Sequence, residues 1–293
     1  MGYLIGMDIG GTNIKIGLYS IASNSVIDFL TMKAKRCDSI YMEVEQNICY
    51  VIKDMMKRHM LNTEELKGIG ISIAANFEPA TGRLTSWPNN SKWNGFPIKE
   101  YLIQYFNVPV ILEDDANSAA FGEFIYKYNH NDSLIYCTIG TGIGMGIIID
   151  KKIYRGRHHM AGELGHMKIY GNREKCVCGD RGCLQAVFQA EKDQNSLNIR
   201  CQKDLDNIGR LARRIAYCLY QMAYLLDISV TVVGGGAIEH NIQFFRRIEQ
   251  HFYSYMGKKA YLYSIKKSDL YNKNGVYGAL ELVSEAINTD KCM

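Results

Sequence analysis

The sequence contains one short pattern twice: an apolar strand, a turn rich in glycine, and a second apolar strand. The first copy spans residues 3–19 and the second spans residues 134–150. Alternating helix and strand patterns follow each copy, which is typical of a mostly parallel sheet covered by helices. The repeat therefore predicts an α/β chain of two similar domains with a cleft between them.

The acidic segment 113–115 is the predicted boundary between the domains, because the pattern restarts soon after it. The small N-terminal domain then covers residues 1–114 and the large C-terminal domain covers residues 115–293, whose final helix is a candidate for packing back on the small domain. Predicted strands lie at 3–8, 14–19, 26–34, 67–73, 108–112, 134–139, 145–150, 230–233 and 260–263. Predicted helices lie at 41–59, 96–106, 116–128, 204–226, 243–255 and 275–287.

Composition excludes several classes of protein. The chain has 293 residues, of which 47% are hydrophobic, and its net charge of +4 includes no dense Lys/Arg tract. We therefore expect neither nucleic acid nor a membrane as partner. Nine cysteines, three of them within eight residues, favour a reducing cytoplasm and one metal cluster over a disulfide framework. The apolar strand that opens the chain argues against a secretory signal.

The first glycine turn has the composition of a phosphate-binding site. Asp8 ends a strand, and Gly10, Gly11 and Thr12 follow it closely. Glycine lets backbone amides approach an anion closely. A carboxylate beside a phosphate requires a divalent cation between them, and Mg²⁺ bound by one carboxylate, phosphate oxygens and water fits that requirement.

The second glycine turn, residues 140–144, occupies the matching place in the second half. A simple chain reversal would explain either turn alone, but glycine turns at matching places in two halves favour phosphate binding. The glycines are not spaced as in a Walker or a Rossmann motif, and a strand rather than a helix follows them. A third run, 234–236, follows an apolar strand, and either a nucleotide base or a plain tight turn would explain it.

A four-residue set predicts a metal site. His166, Cys176, Cys178 and Cys183 are a Cys₃His set, whose thiolate and imidazole ligands point to Zn²⁺ in tetrahedral geometry. No open ligand position remains, so we expect a structural ion. Glu163 lies three residues before His166, where the metal-bound loop would hold its carboxylate ready to accept hydrogen bonds from hydroxyl groups.

Consecutive acidic residues at 113–115 end a strand and begin a helix. Carboxylates at this end of an α/β strand often form ligand sites, and one of them is suited to accept a proton during phosphoryl transfer. Capping of the helix by Asp114 or Asp115 is the competing interpretation. The loop at 88–90 is also polar, and its asparagines either form a turn or bind sugar hydroxyls.

Together these motifs resemble the ROK family of sugar kinases and related repressors, within the actin-like ATPase (ribonuclease H-like) fold. The resemblance covers nearly the whole chain. Its motifs are Asp8-Ile-Gly-Gly-Thr, Pro88-Asn89, Asp115-Ala-Asn117, Gly140-Thr-Gly-Ile-Gly, Glu163-Leu-Gly-His166, Cys176-x-Cys-Gly-x-x-Gly-Cys183 and Gly234-Gly-Gly.

The resemblance implies an ATP-dependent kinase that transfers the γ-phosphate to the 6-hydroxyl of a hexose or hexoside, with Asp115 as catalytic base. The implied ATP-binding residues are Asp8, Gly10, Gly11, Thr12, Lys15, Thr141, Gly142, Gly234 and Gly235. The implied sugar-binding residues are Asn89, Asp114, Asp115, Glu163, His166 and Gln185, with His166 also a ligand of the structural Zn²⁺. ATP, Mg²⁺ and Zn²⁺ are the implied cofactors, a small sugar the implied partner, and a homodimer the expected assembly.

Two residues depart from the family pattern. Asp114 stands where the family commonly has Asn, and Gln185 stands where it commonly has Glu near the anomeric end of the sugar. An amide donates as well as accepts hydrogen bonds, whereas a carboxylate only accepts. Gln185 therefore favours a β-glucoside, while glucose, N-acetylmannosamine and allose stay open.

Two other classes compete with the kinase. Repressors of the family carry an N-terminal helix-turn-helix module, for which the eight residues up to Asp8 leave no room. Actin-like and chaperone ATPases lack the metal cluster and the Glu-x-x-His loop. A regulator or a sugar-binding protein without catalysis remains the alternative, and it requires that Asp115 is not a base.

Overall fold

The computed structural model describes residues 2–88, 90–195 and 202–290. Contacts divide the chain into two compact units. Unit 1 combines the N-terminal part, up to Gly122, with the C-terminal part from Lys273, and unit 2 covers Glu123–Asn272.

The elements of unit 1 are mostly short. Its strands are β1 (Tyr3–Ile9), β2 (Asn13–Ser20), β3 (Ser25–Lys33), β4 (Leu66–Ile73), β5 (Asn76–Phe77), β6 (Leu84–Ser86) and β7 (Val110–Asp114). Its helices are α1 (Ile40–Val44), α2 (Tyr50–Arg58), α3 (Ile98–Phe106), α4 (Asp115–Glu123) and α9 (Asn274–Asp290). A π-helical turn, Glu45–Cys49, joins α1 to α2.

Unit 2 holds the remaining elements. Its strands are β8 (Leu134–Ile139), β9 (Ile143–Ile149), β10 (Lys152–Ile153), β11 (Val230–Gly234) and β12 (Ser264–Lys267). Its helices are α5 (Leu184–Asn195), α6 (Gln202–Leu226), α7 (Gly236–Glu239) and α8 (Ile242–Met256). Among the described residues, no helix combines the length and apolar character that crossing a lipid bilayer would need.

The two main sheets have the same topology. In unit 1 the order is β3-β2-β1-β4-β7, and in unit 2 it is β10-β9-β8-β11-β12. In unit 1 the neighbouring strands β1, β2 and β3 are antiparallel, while β4 and β7 run parallel to β1. In unit 2 the neighbouring strands β8, β9 and β10 are antiparallel in the same way, while β11 and β12 run parallel to β8. In both sheets the glycine turn therefore joins the two strands that come first in the chain, β1 and β2 in unit 1 and β8 and β9 in unit 2.

The sheet of unit 1 is covered on both faces. Apolar residues of α1, α2 and α3 such as Val44, Ile52 and Leu102 are buried against one face. On the other face α9 packs very close to the strands, because Gly6 has no side chain. A Cβ there would lie 2.6 Å from the carbonyl oxygen of Val276.

The core of unit 2 lies between its sheet and the helices α5, α6 and α8. Buried side chains of β8 such as Ile135 pack with Phe188 of α5, Leu219 of α6 and Phe252 of α8. The described part of α6 repeats apolar residues at helical spacing, which explains the continuous apolar stripe that it contributes.

Contacts place the division of the chain later than the predicted boundary after residue 114. All of α4 except its last residue, Glu123, groups with unit 1, because the helix packs against α9. A Cβ at Gly278 would overlap the carbonyl oxygen of Ser118, and a Cβ at Gly122 would overlap that of Asn274.

One predicted strand is wrong. Residues 260–263 lie mostly in a 3₁₀ helix, Gly257–Leu262, and the strand begins one residue after the predicted segment, at Ser264. The apolar run is misleading because Tyr261 is 84% exposed, whereas Ile265 of β12 is fully buried beside β11. The short strands β5, β6 and β10 and helix α5 have no counterpart among the predicted elements.

Candidate functional site

The first glycine turn closes the hairpin of β1 and β2. The amide of Gly10 donates to the carbonyl of Asn13 at 3.0 Å, and the amide of Ala34 donates to the carbonyl of Thr12 at 2.8 Å. The guanidinium of Arg36 donates to the carbonyl of Gly11 at 2.6 Å. Two hydrogen bonds from the segment that follows β3, one from Ala34 and one from Arg36, therefore hold the turn.

Asp8 and Lys15 form an ion pair beside this turn. They are register partners on β1 and β2, and Lys15 Nζ lies 2.8 Å from Asp8 Oδ2. Gly275, at the start of α9, also faces Asp8, since a Cβ there would lie 3.1 Å from the carboxyl carbon. A side chain at 275 would thus crowd the carboxylate.

Asp115, the first residue of α4, belongs to the same acidic group. Burial is the largest cause that raises the pKa of its carboxyl well above the ordinary value, and the charges of Asp114 and Asp8 add to it, while Lys15 acts in the opposite direction. A carboxyl group whose pKa is raised by burial and by neighbouring charges is a candidate for proton exchange during catalysis.

Asp114 caps helix α4. Its Oδ1 accepts hydrogen bonds from the amides of Ala116 at 3.0 Å and Asn117 at 3.3 Å. Glu113 Oε1 accepts from the side chain of Asn117 at 3.1 Å. The acidic segment therefore orients the first turn of the helix, and Asp115 with it.

The predicted sugar loop is anchored in unit 1. Asn89 lies outside the described residues, but its neighbour Asn90 is buried and donates to Glu43 Oε2 at 2.8 Å. Trp93 donates its indole N–H to the same oxygen at 2.7 Å. The amide of Trp87 donates to the side chain of Asn94 at 2.7 Å, which closes the loop on itself.

The second glycine turn is held by helix α5. Gln185 Oε1 accepts from the amide of Ile143 at 3.2 Å, and Gln189 donates to the carbonyl of Thr141 at 3.2 Å. A Cβ at Gly142 would lie 2.7 Å from Gln185 Oε1, and one at Gly165 would lie 3.1 Å from it. Gln185 thus lies between the turn and the loop that carries Glu163 and His166.

The glycines after β11 are required by packing. Gly235 has φ +91°, and a Cβ there would lie 2.6 Å from the carbonyl of Ile139 on β8. A Cβ at Gly234 would overlap the hydroxyl of Tyr136. The plain tight turn therefore accounts for these glycines, and their contact with adenosine stays a prediction.

The four predicted metal ligands converge in unit 2. The ligand atoms of His166, Cys176, Cys178 and Cys183 all lie within 4.8 Å of one another. Cys176 Sγ lies 3.7 Å from His166 Nδ1, and Cys178 Sγ lies 3.8 Å from Cys183 Sγ. Metal–ligand bonds of about 2.0–2.3 Å give tetrahedral edges of about 3.5–3.8 Å. The two distances above are close to these edges, so the cluster is compatible with one tetrahedral ion.

His166 faces two different groups with its two ring nitrogens. Nδ1 lies on the side of the cysteines, and Nε2 lies 3.7 Å from Glu163 Oε2. Glu163 and His166 are partly exposed, with 49% and 36% of their side chains accessible. A metal bound at Nδ1 would fix the ring, and the ring would then hold the glutamate carboxylate.

Sequence reasoning missed three residues that hold these groups, namely Arg36, Glu43 and Gln189. The turns that they hold are far away in the sequence, by 25 positions for Arg36 and 48 for Gln189. Only the spacing of Gln189, one helical turn after Gln185, offered a signal, and that signal depends on knowing that α5 is a helix.

Comparison with known proteins identifies the family. The chain matches the ROK family over residues 4–286. It belongs to the ROK family. Its fold is accordingly the actin-like ATPase fold, which confirms the predicted class of two similar α/β domains.

The relatives of this ROK protein include regulators and enzymes. It is 34% identical over 194 residues to a xylose repressor of Bacillus spizizenii, covering 65% of this chain and 48% of the repressor. It is 26% identical over 321 residues to a glucokinase of Halalkalibacterium halodurans, covering 98% and 96% of the two chains. The chain thus spans about half the length of the repressor.

A solved structure gives the most informative likeness. A ROK family glucokinase from Streptomyces griseus, in complex with glucose and AMPPNP, superposes with a TM-score of 0.79 at 25% identity. The likeness covers 97% of this chain and 100% of that one.

Proposed function

We propose that this ROK protein is an ATP-dependent sugar kinase that transfers the γ-phosphate to the 6-hydroxyl of a hexose or hexoside. Asp115 accepts the proton of that hydroxyl while its oxygen bonds to the transferred phosphorus and the bond to the departing ADP breaks. The products are ADP and the sugar 6-phosphate, and Asp115 then returns the proton to solvent.

The observation that carries the proposal is the place of Asp115. Its carboxyl lies at the start of α4, where burial first and the charges of Asp114 and Asp8 second raise its pKa. A general base gains from this shift, because its pKa then lies closer to the pH at which it works.

Asp8, Lys15 and the two glycine turns are the proposed binding site for the phosphate groups of ATP. Asp8 is the carboxylate that suits Mg²⁺, which neutralises phosphate charge when bound. Lys15, already paired with Asp8, is placed to neutralise charge at the same turn. The amides of both glycine turns are the proposed phosphate donors, including those of Thr12 and Thr141.

The metal cluster is proposed to be a structural zinc site. Three cysteines and one histidine whose ligand atoms lie within 4.8 Å of one another suit Zn²⁺ and leave no open position for chemistry. Its proposed role is to hold His166 and, through it, Glu163, so that the glutamate accepts hydrogen bonds from sugar hydroxyls.

A β-glucoside is the proposed preferred sugar, and Gln185 supports it. The amide of Ile143 occupies Gln185 Oε1, so the NH₂ group is the end available for a ligand. An NH₂ group donates to an ether oxygen that carries no hydrogen, which a glutamate carboxylate would repel.

An ADP-release assay over hexoses, N-acetylhexosamines and β-disaccharides tests the function. We expect turnover with at least one of these sugars and MgATP. A protein that binds a sugar by calorimetry but releases no ADP with the whole panel would contradict the kinase. For the sugar, Gln185→Glu should lower the ratio of cellobiose to glucose phosphorylation, and an unchanged ratio would refute the role of Gln185.

The second candidate is a sugar-sensing regulator without catalysis, supported by the match to the xylose repressor. This function predicts sugar binding that does not depend on Asp115 acting as a base. The same assay separates the two, because only the kinase couples sugar binding to ADP release.

A further inference from the structure

Glu43 is a buried carboxylate that none of the proposed catalytic steps uses. It lies on α1, and its side chain is 1% exposed. Oε2 accepts from Asn90 and Trp93 of the sugar loop, and Oε1 accepts from the amide of Cys37 at 3.1 Å. A buried carboxylate is costly to keep in a core unless its hydrogen bonds are satisfied, and these three donors satisfy Glu43.

Hydrogen bonds keep Glu43 ionised despite its burial. Burial alone would raise the pKa of this carboxyl, but donors from Trp93, Cys37 and Asn90 and the charge of Arg36 hold it below its ordinary value. The fixed negative charge therefore remains available to Arg36 at any pH near neutrality.

Arg36 connects this carboxylate to the first glycine turn. One guanidinium nitrogen lies 3.7 Å from Glu43 Oε2, and another donates to the carbonyl of Gly11 at 2.6 Å. The rigid fork of an arginine transmits position better than a flexible lysine would. The chain of contacts thus runs from Gly11 through Arg36 and Glu43 to Asn90 and Trp93, all inside unit 1.

We propose that Glu43 and Arg36 are positioning residues that couple the predicted phosphate turn to the predicted sugar loop. Occupancy of the turn by nucleotide shifts the Gly11 carbonyl, and the shift reaches residues 90–93 through two side chains. Because coupling between two binding sites is reciprocal, a bound sugar changes the affinity for nucleotide by the same factor as bound nucleotide changes the affinity for sugar. This inference rests on the proposed kinase function.

The tryptophans make the coupling observable. The chain has two, Trp87 and Trp93, and they flank the predicted sugar loop with ring centroids 5.0 Å apart. Trp93 is bonded to Glu43 itself. Intrinsic tryptophan fluorescence therefore reports on the loop, whatever the identity of the sugar.

The test is a titration with the Mg²⁺ complex of AMPPNP alone, followed by tryptophan fluorescence and, in parallel, by calorimetry. We expect the wild-type protein and the control Lys35→Met to show the same change in fluorescence on binding. The side chain of Lys35 is exposed and donates to Gln46 at 3.1 Å, away from Glu43 and Gly11. Arg36→Met and Glu43→Gln should lose most of that change at saturating AMPPNP.

The outcomes separate this proposal from the proposed function. No binding of AMPPNP to the wild-type protein would refute the kinase and the coupling together. Binding without a fluorescence change, or a full change in a variant that has lost either side chain, would refute the coupling alone. Because Glu43 lies outside the turn, Glu43→Gln should still bind nucleotide. It therefore tests the coupling even if Arg36→Met no longer binds nucleotide.

A second measurement excludes a merely structural role. With a sugar that supports turnover, the ratio of AMPPNP affinities with and without sugar should reach about 5- to 150-fold, the usual range of such coupling. In both variants the ratio should fall toward one. Variants that weaken both affinities but keep the wild-type ratio would show that Glu43 and Arg36 only stabilise the fold.

Discussion

The side-chain oxygen of Gln185 accepts a hydrogen bond from the amide of Ile143 in the second glycine turn, 3.2 Å away. Gln185 lies in the first turn of α5, two residues after the predicted metal ligand Cys183. One helical turn later, Gln189 donates to the carbonyl of Thr141. Helix α5, which follows the predicted metal-binding loop, therefore also fixes the conformation of the second glycine turn.

Gly142→Ala should break the bond between Gln185 and Ile143. The new Cβ would lie 2.7 Å from Gln185 Oε1, and the amide can move away only by giving up its partner, at a cost of about 0.5–1.5 kcal/mol. Urea denaturation measures this loss. Gly140→Ala is the matched control, since a Cβ there meets no protein atom within 4 Å. In a Gln185→Ala background, Gly142→Ala should cost nothing further, and an equal cost in both backgrounds would contradict the mechanism.

Asp115→Asn should lower kcat by about 10²–10⁴-fold, the usual contribution of a general base. Because the amide keeps the size of the side chain, the affinity for sugar measured by calorimetry should change little. Asp132→Asn is the control, since Asp132 is exposed and only pairs with Lys151 at 3.7 Å. Turnover of Asp115→Asn within a few-fold of the wild type would overturn the assignment of the base.

The raised pKa of Asp115 should also make the native state less stable as pH rises. Below the ordinary carboxyl pKa the group is protonated in both states and makes no difference. As pH rises through the window between the unfolded and the raised folded pKa, the unfolded state releases its proton first, so the free energy of unfolding falls.

The same substitution tests this linkage. Asp115→Asn cannot ionise, so its Tm should exceed that of the wild type above this window, and the difference should disappear at acidic pH. Thermal unfolding of both proteins across a pH series measures it. A Tm difference that does not vary with pH would mean that ionisation of Asp115 is not the cause.

Removal of the metal should abolish activity and lower the Tm. We expect about one zinc ion per chain by elemental analysis, since four ligands complete one tetrahedral site. Cys178→Ser removes the exposed ligand with little effect on packing and should lose the ion. Cys37→Ser, outside the cluster, should retain it. A protein that stays fully active after verified removal of the metal would refute the role of the site in holding Glu163.

The hairpins and the repeated topology could be predicted from sequence because their signals are local. Glycine turns between short apolar strands need no knowledge of distant residues, and both sheets contain them as expected. The error at residues 260–263 has the opposite origin. An apolar run predicts burial, but Tyr261 and Leu262 remain exposed, and the choice of strand depends on which side chain fits beside β11.

In the candidate site, too, the residues with local sequence signals could be predicted and those with distant partners could not. The convergence of the four predicted metal ligands could be expected from sequence, because they fall within eighteen positions of one another and carry distinctive chemistry. The capping role of Asp114 was one of two interpretations that the sequence left open, and its bonds to Ala116 and Asn117 support it. Arg36 and Glu43 could not be predicted, because an arginine and a glutamate on a surface loop and a helix are common and their partners lie elsewhere in the chain.

The placement of α9 has a consequence for biosynthesis. Unit 1 begins at the N-terminus, but its sheet is covered on one face only by a helix that starts at Asn274. A ribosome therefore completes every residue of unit 2 before it has made the helix that unit 1 requires. During translation the apolar face around Leu4 has no helix to cover it until α9 has been synthesised, so nascent unit 1 exposes apolar surface that the finished chain buries.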